Sequence, residues 1–287
     1  MKMKIGITGA TGQLGRLVVS KLKTKISPDN IVALVRSVPK AADLGIEVRE
    51  ADYDKPETLD LALKGIDTLL LISANEVGKR IVQHRNIIAA AKKAGVTWII
   101  YTSLLHADKS SLGLAAEHIA TEEALKKSGA PYTFLRNGWY TENFVRTIPA
   151  ALSAGAVLGS AGNGRIASAT RSDYAEAAVA VLTTGGQQGK VYELAGDIAW
   201  TLTDLATEIS RHSGKLIPYK NLGEGEYAEA LKKNFGFSDE IAQGLAEIDV
   251  AVSKDALFDN GHQLSELIGR STTPMPVTVA ESVEETT

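Results

Sequence analysis

Between residues 4 and 137, short apolar runs alternate with stretches whose apolar positions recur every three or four residues. The runs at 4–8, 31–35, 46–49, 68–72, 98–102 and 132–135 are continuously hydrophobic, as in strands buried on both faces. Stretches 13–25, 57–64, 80–94 and 115–127 carry the helical period. Gly95 and Gly129 stand just past the last turn of two of them. This alternation predicts a Rossmann-like α/β unit, a doubly wound parallel sheet covered by helices, with its ligand at the strand carboxyl ends.

Beyond Asn137 the alternation loosens. Residues 138–157 read as helical or irregular, and 172–182 as an amphipathic helix capped by Ser172. A late strand at 191–195 is expected to rejoin the sheet. Helices are expected at 201–214, opened by Thr201 or Thr203, and at 227–234 and 239–247. The division expected is a dinucleotide-binding domain over 1–137, with 165–195 returning to it. A smaller, mostly helical C-terminal substrate lobe takes 138–164 and 196–287. The tail 271–287 mixes Pro, Thr and Glu and is expected to be partly flexible.

Composition narrows the function classes. A chain of 287 residues has room for one large α/β domain and a smaller one. A net charge of −3 gives no footprint for nucleic acid. No apolar run approaches a membrane span, and a strand at residues 4–8 leaves no room for a signal peptide. Cys is absent, which excludes thiol nucleophiles and cysteine metal sites, and the 5 His lack ligand spacing, so no metal is expected. A cytoplasmic protein that borrows redox chemistry from a bound cofactor fits these limits. The assembly is left open, a homo-oligomer included.

The chemistry concentrates in two segments. Gly9, Gly12 and Gly15 follow the first strand at a period of three and open the first helix. Such a loop brings a helix N-terminus and bare backbone against a pyrophosphate. Gly9, Ala10, Thr11, Gly12, Gln13 and Leu14 are therefore the candidate phosphate cradle; a glycine-rich turn that binds nothing is the competing reading. Arg36 ends the second strand where a carboxylate would favour NAD, and no acid follows it until Asp43. Its guanidinium suits a 2′-phosphate, so NADP(H) is the cofactor expected. Asp52 and Tyr53 end the third strand, where Asp52 either accepts from adenine or caps the next helix. Ser73 and Ala74, at the end of the fourth, let backbone approach the cofactor. His84 falls beside a buried helix face as a structural histidine, and His106 either reaches the pocket or stays in an exposed loop. Arg171 and Asp173 read as ties between a later helix and the first domain.

The second segment is 136–144, after the sixth strand. Asn137, Trp139, Tyr140 and Asn143 combine flat rings with amides, as a planar, weakly polar acceptor near a nicotinamide requires. A hydrophobic hinge is the alternative reading.

The stretches ITGATGQLG at 7–15, IVALVR at 31–36, YTSLLHAD at 101–108, YTFLRNGWYTEN at 132–143, GRIASATRSDYA at 164–175 and VYELAGDIAWTLTDLA at 191–206 resemble NmrA-like atypical short-chain dehydrogenase/reductases. The resemblance implies a bilobal Rossmann fold, NADPH at the glycine loop and reduction of a small-molecule quinone. It also exposes a departure. Aligning Glu122 with the superfamily's acid puts His118 at the Lys position of the Tyr-x-x-x-Lys dyad and Leu114 at the Tyr position. An alkoxide needs that tyrosine as its acid; a hydroquinone anion is a much weaker base. The expectation is direct hydride transfer from NADPH to a quinone with no catalytic side chain, and His118 bonding the nicotinamide ribose. The alternatives are a dye or azo reductase on the same scaffold, or a non-catalytic NADP(H) sensor.

Overall fold

The computed structural model describes residues 3–286. In chain order it runs β1 (Ile5–Thr8), α1 (Gln13–Leu22), β2 (Ile31–Val35), β3 (Glu47–Glu50), α2 (Pro56–Ala62), β4 (Thr68–Leu71), α3 (Arg80–Ala94), β5 (Trp98–Leu104), α4 (Ala115–Ser128) and β6 (Tyr132–Asn137). Next come α5 (Thr141–Val145), α6 (Ile148–Ala154), β7 (Val157–Gly159), α7 (Arg171–Thr183) and β8 (Val191–Leu194). The chain ends with α8 (Leu202–Ser213), β9 (Tyr219–Asn221), α9 (Glu224–Phe235), α10 (Asp239–Val252), α11 (Gln263–Ile268) and α12 (Met275–Glu284).

Two compact units emerge. The first holds the chain up to Lys109 with Leu114–Asn137 and Arg171–Leu194; the second holds Ser110–Gly113, Gly138–Thr170 and residues from Ala195 onward. The first is one parallel sheet in the order β3-β2-β1-β4-β5-β6-β8. The order reverses between β1 and β4, the switch point at which a doubly wound sheet parts its loops and opens a crevice. Strand side chains alternate between faces. Val32, Leu34, Leu69, Leu71, Ile99, Tyr101 and Phe134 share one core with Leu59, Leu63 and Ile87 from α2 and α3. Gly6 lies on that face too, where a Cβ would come within 3.1 Å of Ile66 and Leu34. The adjacent residues Ile5 and Ile7 therefore point to the other side of the sheet.

β5 and β6 run further than the apolar pattern. Their last pairs, Ser103 with Arg136 and Leu104 with Asn137, keep the ladder. Ser103 and Arg136 are satisfied there: Ser103 Oγ donates to Glu122 Oε1 at 2.7 Å, and the Arg136 fork grips both Glu122 oxygens at 2.9 and 2.8 Å. Hydrophobicity stopped where side-chain partners took over.

Four expectations differ from the structure. α7 begins at Arg171, so Ser172 lies inside its first turn rather than at its cap. That helix is also not amphipathic, since Asp173, Tyr174, Ala175, Ala177, Ala178, Val179, Val181 and Leu182 are all buried. Segment 165–170 sits in the second unit, where Ile166 exchanges backbone bonds with Trp200 at 2.8 and 3.0 Å and Ala167 N donates to Leu257 O. Most of the tail is helical: Met275, Thr278, Val279 and Val283 bury one face of α12 against α5 and α8. The second unit otherwise consists of short helices around the parallel pair β7–β9. Its α8 is opened by a capping box, with Thr201 N donating to Asp204 Oδ2 and Asp204 N to Thr201 Oγ1.

Candidate active site

The glycine loop is built for a backbone contact. Gly9 adopts φ +59°, and its carbonyl accepts from Gly12 N at 2.9 Å, closing the turn. A Cβ on Gly15 would lie 2.2 Å from Gly9 O and 2.8 Å from Ala10 Cα, so helix and turn touch through bare backbone. Gly12 caps α1 without a side-chain bond, and the first turn holds no acid. The N–H groups of Gln13, Leu14 and Gly15 thus remain as intrahelical orphans at the positive end of the helix dipole. Ala10 and Leu14 bury their side chains, Thr11 is half-buried and Gln13 exposed, which leaves main chain as the loop's working surface.

The other candidates of the first unit gather at the same edge of the sheet. Arg36 follows β2 and is largely exposed, with Nη1 2.7 Å from Glu76 Oε1. No acid precedes Asp43 in sequence, yet the fold supplies one from the loop after β4. Burial alone would raise the Glu76 carboxyl, but the Lys79 hydrogen bond and the Arg36 charge hold it below the usual range. Asp43 itself bonds Arg16 at 2.6 Å and not Arg36. Asp52 accepts from Asp54 N at 3.1 Å and approaches Lys55 at 3.6 Å. Ser73 N donates to Thr102 Oγ1 at 2.9 Å, tying the β4 loop to β5.

Two polar atoms here are buried without a partner among the described residues, the Tyr53 hydroxyl and Asn137 Oδ1. Burial pushes the Tyr53 phenol up. An unpaired buried polar atom costs about 1–3 kcal/mol, and a ligand that supplies donors and acceptors removes that cost. Together with the bare helix end, these orphans fit a polar dinucleotide.

Beneath this edge lies a network that the sequence did not disclose. Ala74 N donates to His84 Nε2 at 3.0 Å, which fixes that nitrogen as an acceptor. Nδ1 therefore carries the proton toward Thr121 Oγ1 at 2.9 Å, and Thr121 donates to Glu117 O. Glu117 in turn holds Arg80 Nη1 at 2.8 Å and Gly78 N at 2.9 Å. His84 is thus the structural histidine expected. His118 lies on α4 with Nδ1 2.8 Å from the Tyr101 hydroxyl of β5. Burial, reinforced by the Arg80 charge, lowers both imidazoles to about 3, so both are neutral at pH 7. His106 is held by Glu193, whose Oε2 accepts from His106 N at 2.8 Å.

In the second unit, Trp139 and Asn143 line a cavity of about 620 Å³ together with Phe144, Tyr227, Phe235 and Phe237. Tyr140 does not line it; it caps α5 and its backbone bridges Ala169. Asp249 of α10 also faces the cavity, accepting from Ser160 N at 2.8 Å. Burial pushes its carboxyl up to about 6. Glu76, Tyr101 and Asp249 were missed because each acts across 17 or more residues of sequence, on Arg36, His118 and Ser160. Among the described residues, no cluster of His, Asp and Glu could hold a metal, and no helix is long and apolar enough to cross a membrane.

Comparison with known proteins agrees with this geometry. A profile of NAD(P)H-binding proteins matches residues 9–185. The chain is 56% identical to quinone oxidoreductase 2 of Escherichia coli over 282 residues, 97% of each chain. It superposes on the solved E. coli NADPH-dependent quinone oxidoreductase in complex with NADPH with TM-score 0.93, at 55% identity, covering 98% and 99% of the two chains. Citrobacter sp. triphenylmethane reductase complexed with NADP(H) aligns with TM-score 0.93 at 40% identity, over 99% and 100%.

Proposed function

The chain belongs to the NAD(P)H-binding family, and from that premise we propose that it is an NADPH-dependent quinone oxidoreductase of the cytoplasm. NADPH supplies the hydride when bound, and a quinone accepts it. The observation that carries this reading is the bare-backbone glycine cradle in a chain 56% identical, end to end, to E. coli quinone oxidoreductase 2.

The residues divide the work. Gly9, Ala10, Thr11, Gly12, Gln13 and Leu14 form the pyrophosphate cradle, in which Gln13 and Leu14 offer unspent backbone N–H groups without a competing acid. Arg36 takes the 2′-phosphate in place of Glu76. Asp52 and Tyr53 edge the adenine, Ser73 keeps the β4 loop close to the ribose, and the Asn137 amide oxygen gains the donor it lacks. His118, neutral and bonded through Nδ1, offers its Nε2 proton to a ribose hydroxyl. Trp139 and Asn143, which line the cavity, recognise the acceptor, with Tyr140 capping the helix that carries Asn143. None of these groups is asked to protonate an alkoxide, which suits a quinone: the hydroquinone anion takes its proton from water. The protein contributes orientation and exclusion of solvent.

The test is oxidation of NADPH by purified protein with 1,4-benzoquinone, run beside NADH. Quinone-dependent oxidation that prefers NADPH is expected. Tight NADPH binding without it would overturn the reading in favour of a nucleotide sensor.

A further inference from the structure

We propose that the acceptor is a quinone bearing an apolar alkyl or isoprenoid side chain, and that the cavity of the second unit is the subsite for that chain. The inference rests on the reading of this protein as an NADPH-dependent quinone oxidoreductase and names the substrate class of that site.

Space is the first argument. The cavity's 620 Å³ exceeds what one quinone ring fills and falls within the range of about 300–1,000 Å³ that encloses drug-sized ligands. Trp139 and Asn143, proposed for the quinone ring, form only a small part of its wall. Much of the rest is aliphatic. Ala150, Ala151 and Ala154 each put one methyl on the α6 wall, and Ala230 does the same from α9. Short side chains on two helices leave room that methylenes can fill.

The cavity also has a floor and a mouth. Leu205, Leu231, Val252 and Leu257 are buried, whereas Ala154, Asn234 and Phe235 are exposed. Phe235 stacks on Phe237 with ring centroids 5.5 Å apart and planes 7° from parallel, so part of the mouth is an aromatic edge. A side chain longer than the cavity leaves across it. The charged lining residues are Arg146, which is exposed, and Asp249, whose carboxylate accepts from Ser160 N at 2.8 Å.

Apolar cavities bind apolar groups, and each methylene moved out of water into such a wall tightens binding by at most about fourfold. The reaction itself stays on the ring. A hydride from NADPH and a proton from water turn the quinone into a hydroquinone, NADPH leaves as NADP⁺, and the side chain is unaltered. Its contribution is affinity and orientation.

The experiment measures equilibrium binding of 6-alkyl-2,3-dimethoxy-5-methyl-1,4-benzoquinones to the full-length protein without NADPH, the alkyl group running from methyl to decyl. Affinity is expected to climb about threefold per methylene and then level off once the cavity is full. In Ala230→Leu the added carbons occupy the wall, so the plateau should arrive about three methylenes earlier. Phe235→Ala alters an exposed position and should lower the decyl to methyl affinity ratio about fivefold by removing the aromatic edge. A wild-type affinity that is flat along the series, or a wild-type profile retained by either folded variant, would overturn the proposal. Oxidation of NADPH by the methyl homologue is assayed separately. Its absence alongside the expected plateau removes the quinone reductase reading and leaves the apolar subsite standing; turnover with a flat series does the reverse.

Discussion

The Tyr101 hydroxyl on β5 lies 2.8 Å from Nδ1 of His118 on α4, and solvent does not reach the tyrosine. Thr121 also interacts with that hydroxyl; when the tyrosine donates to Nδ1, the imidazole proton sits on Nε2. On the role proposed for His118 at the ribose, Tyr101 acts through it as a positioning residue. Tyr101→Phe should cost about 1–3 kcal/mol of stability by leaving Nδ1 buried and unpaired. It should also raise KM for NADPH more than it lowers kcat, and shift the His118 nitrogen resonances toward the other tautomer. Lost stability with unaltered KM and tautomer would reduce the pair to a packing contact.

On the proposed function, the Arg36–Glu76 ion pair competes with the 2′-phosphate for the guanidinium. Glu76→Gln frees the guanidinium and should lower KM for NADPH a few-fold while leaving NADH unchanged. Arg36→Glu should raise KM for NADPH at least tenfold and barely affect NADH. Equal effects on the two nucleotides would remove Arg36 from the 2′-phosphate role.

The glycine cradle has no slack. In Gly15→Ala the new methyl would sit 2.2 Å from Gly9 O, so helix and turn must separate. NADPH binding, followed by nucleotide fluorescence, should fall at least a hundredfold, and the thermal midpoint should drop as well. Near-normal affinity would mean that the loop shifts freely and is not the phosphate cradle.

The parts of this molecule that were legible in sequence are those fixed locally. β2 and α3 fall at the expected residues because apolar runs and helical periods are short-range signals. The glycine turn was readable because its spacing is its geometry. Glu76 was not, because its meeting with Arg36 depends on the sheet order that brings the β2 and β4 loops to one edge. Asp249 lies 89 residues from the Ser160 N–H it accepts, and nothing in α10 marks it as facing a cavity. The tail misled for a different reason. Pro and Glu suggested disorder, while Met275, Val279 and Val283 carried a helical stripe that only a packing partner makes meaningful. α7 failed the amphipathic reading because it is small-residue-rich and buried on most sides.

The two buried histidines predict how stability changes with pH. Burial lowers His84 and His118 to about 3 from 6.5, so the unfolded chain takes up two protons across that window that the folded chain refuses. Stability is therefore retained above pH 6.5 and lost as the pH falls toward 3. Asp249 acts in the opposite sense. Its carboxyl is raised to about 6 from 3.8, so the fold holds a proton there that the unfolded chain releases, which adds stability as the pH falls through that narrower range. Two groups over the wider window outweigh one over the narrower, at about 1.4 kcal/mol per pH unit for each group. Urea midpoints should stay level from pH 8 to 7 and decline steeply below 6. His84→Gln removes one of the two titrating groups, leaving His118 and Asp249 to offset each other, and should remove most of the decline that these groups cause between pH 6 and 4, even if its midpoint at pH 7 is lower. A level profile from pH 6.5 to 4 in the wild type would mean that water and protons already reach the His84 and His118 rings in the folded state.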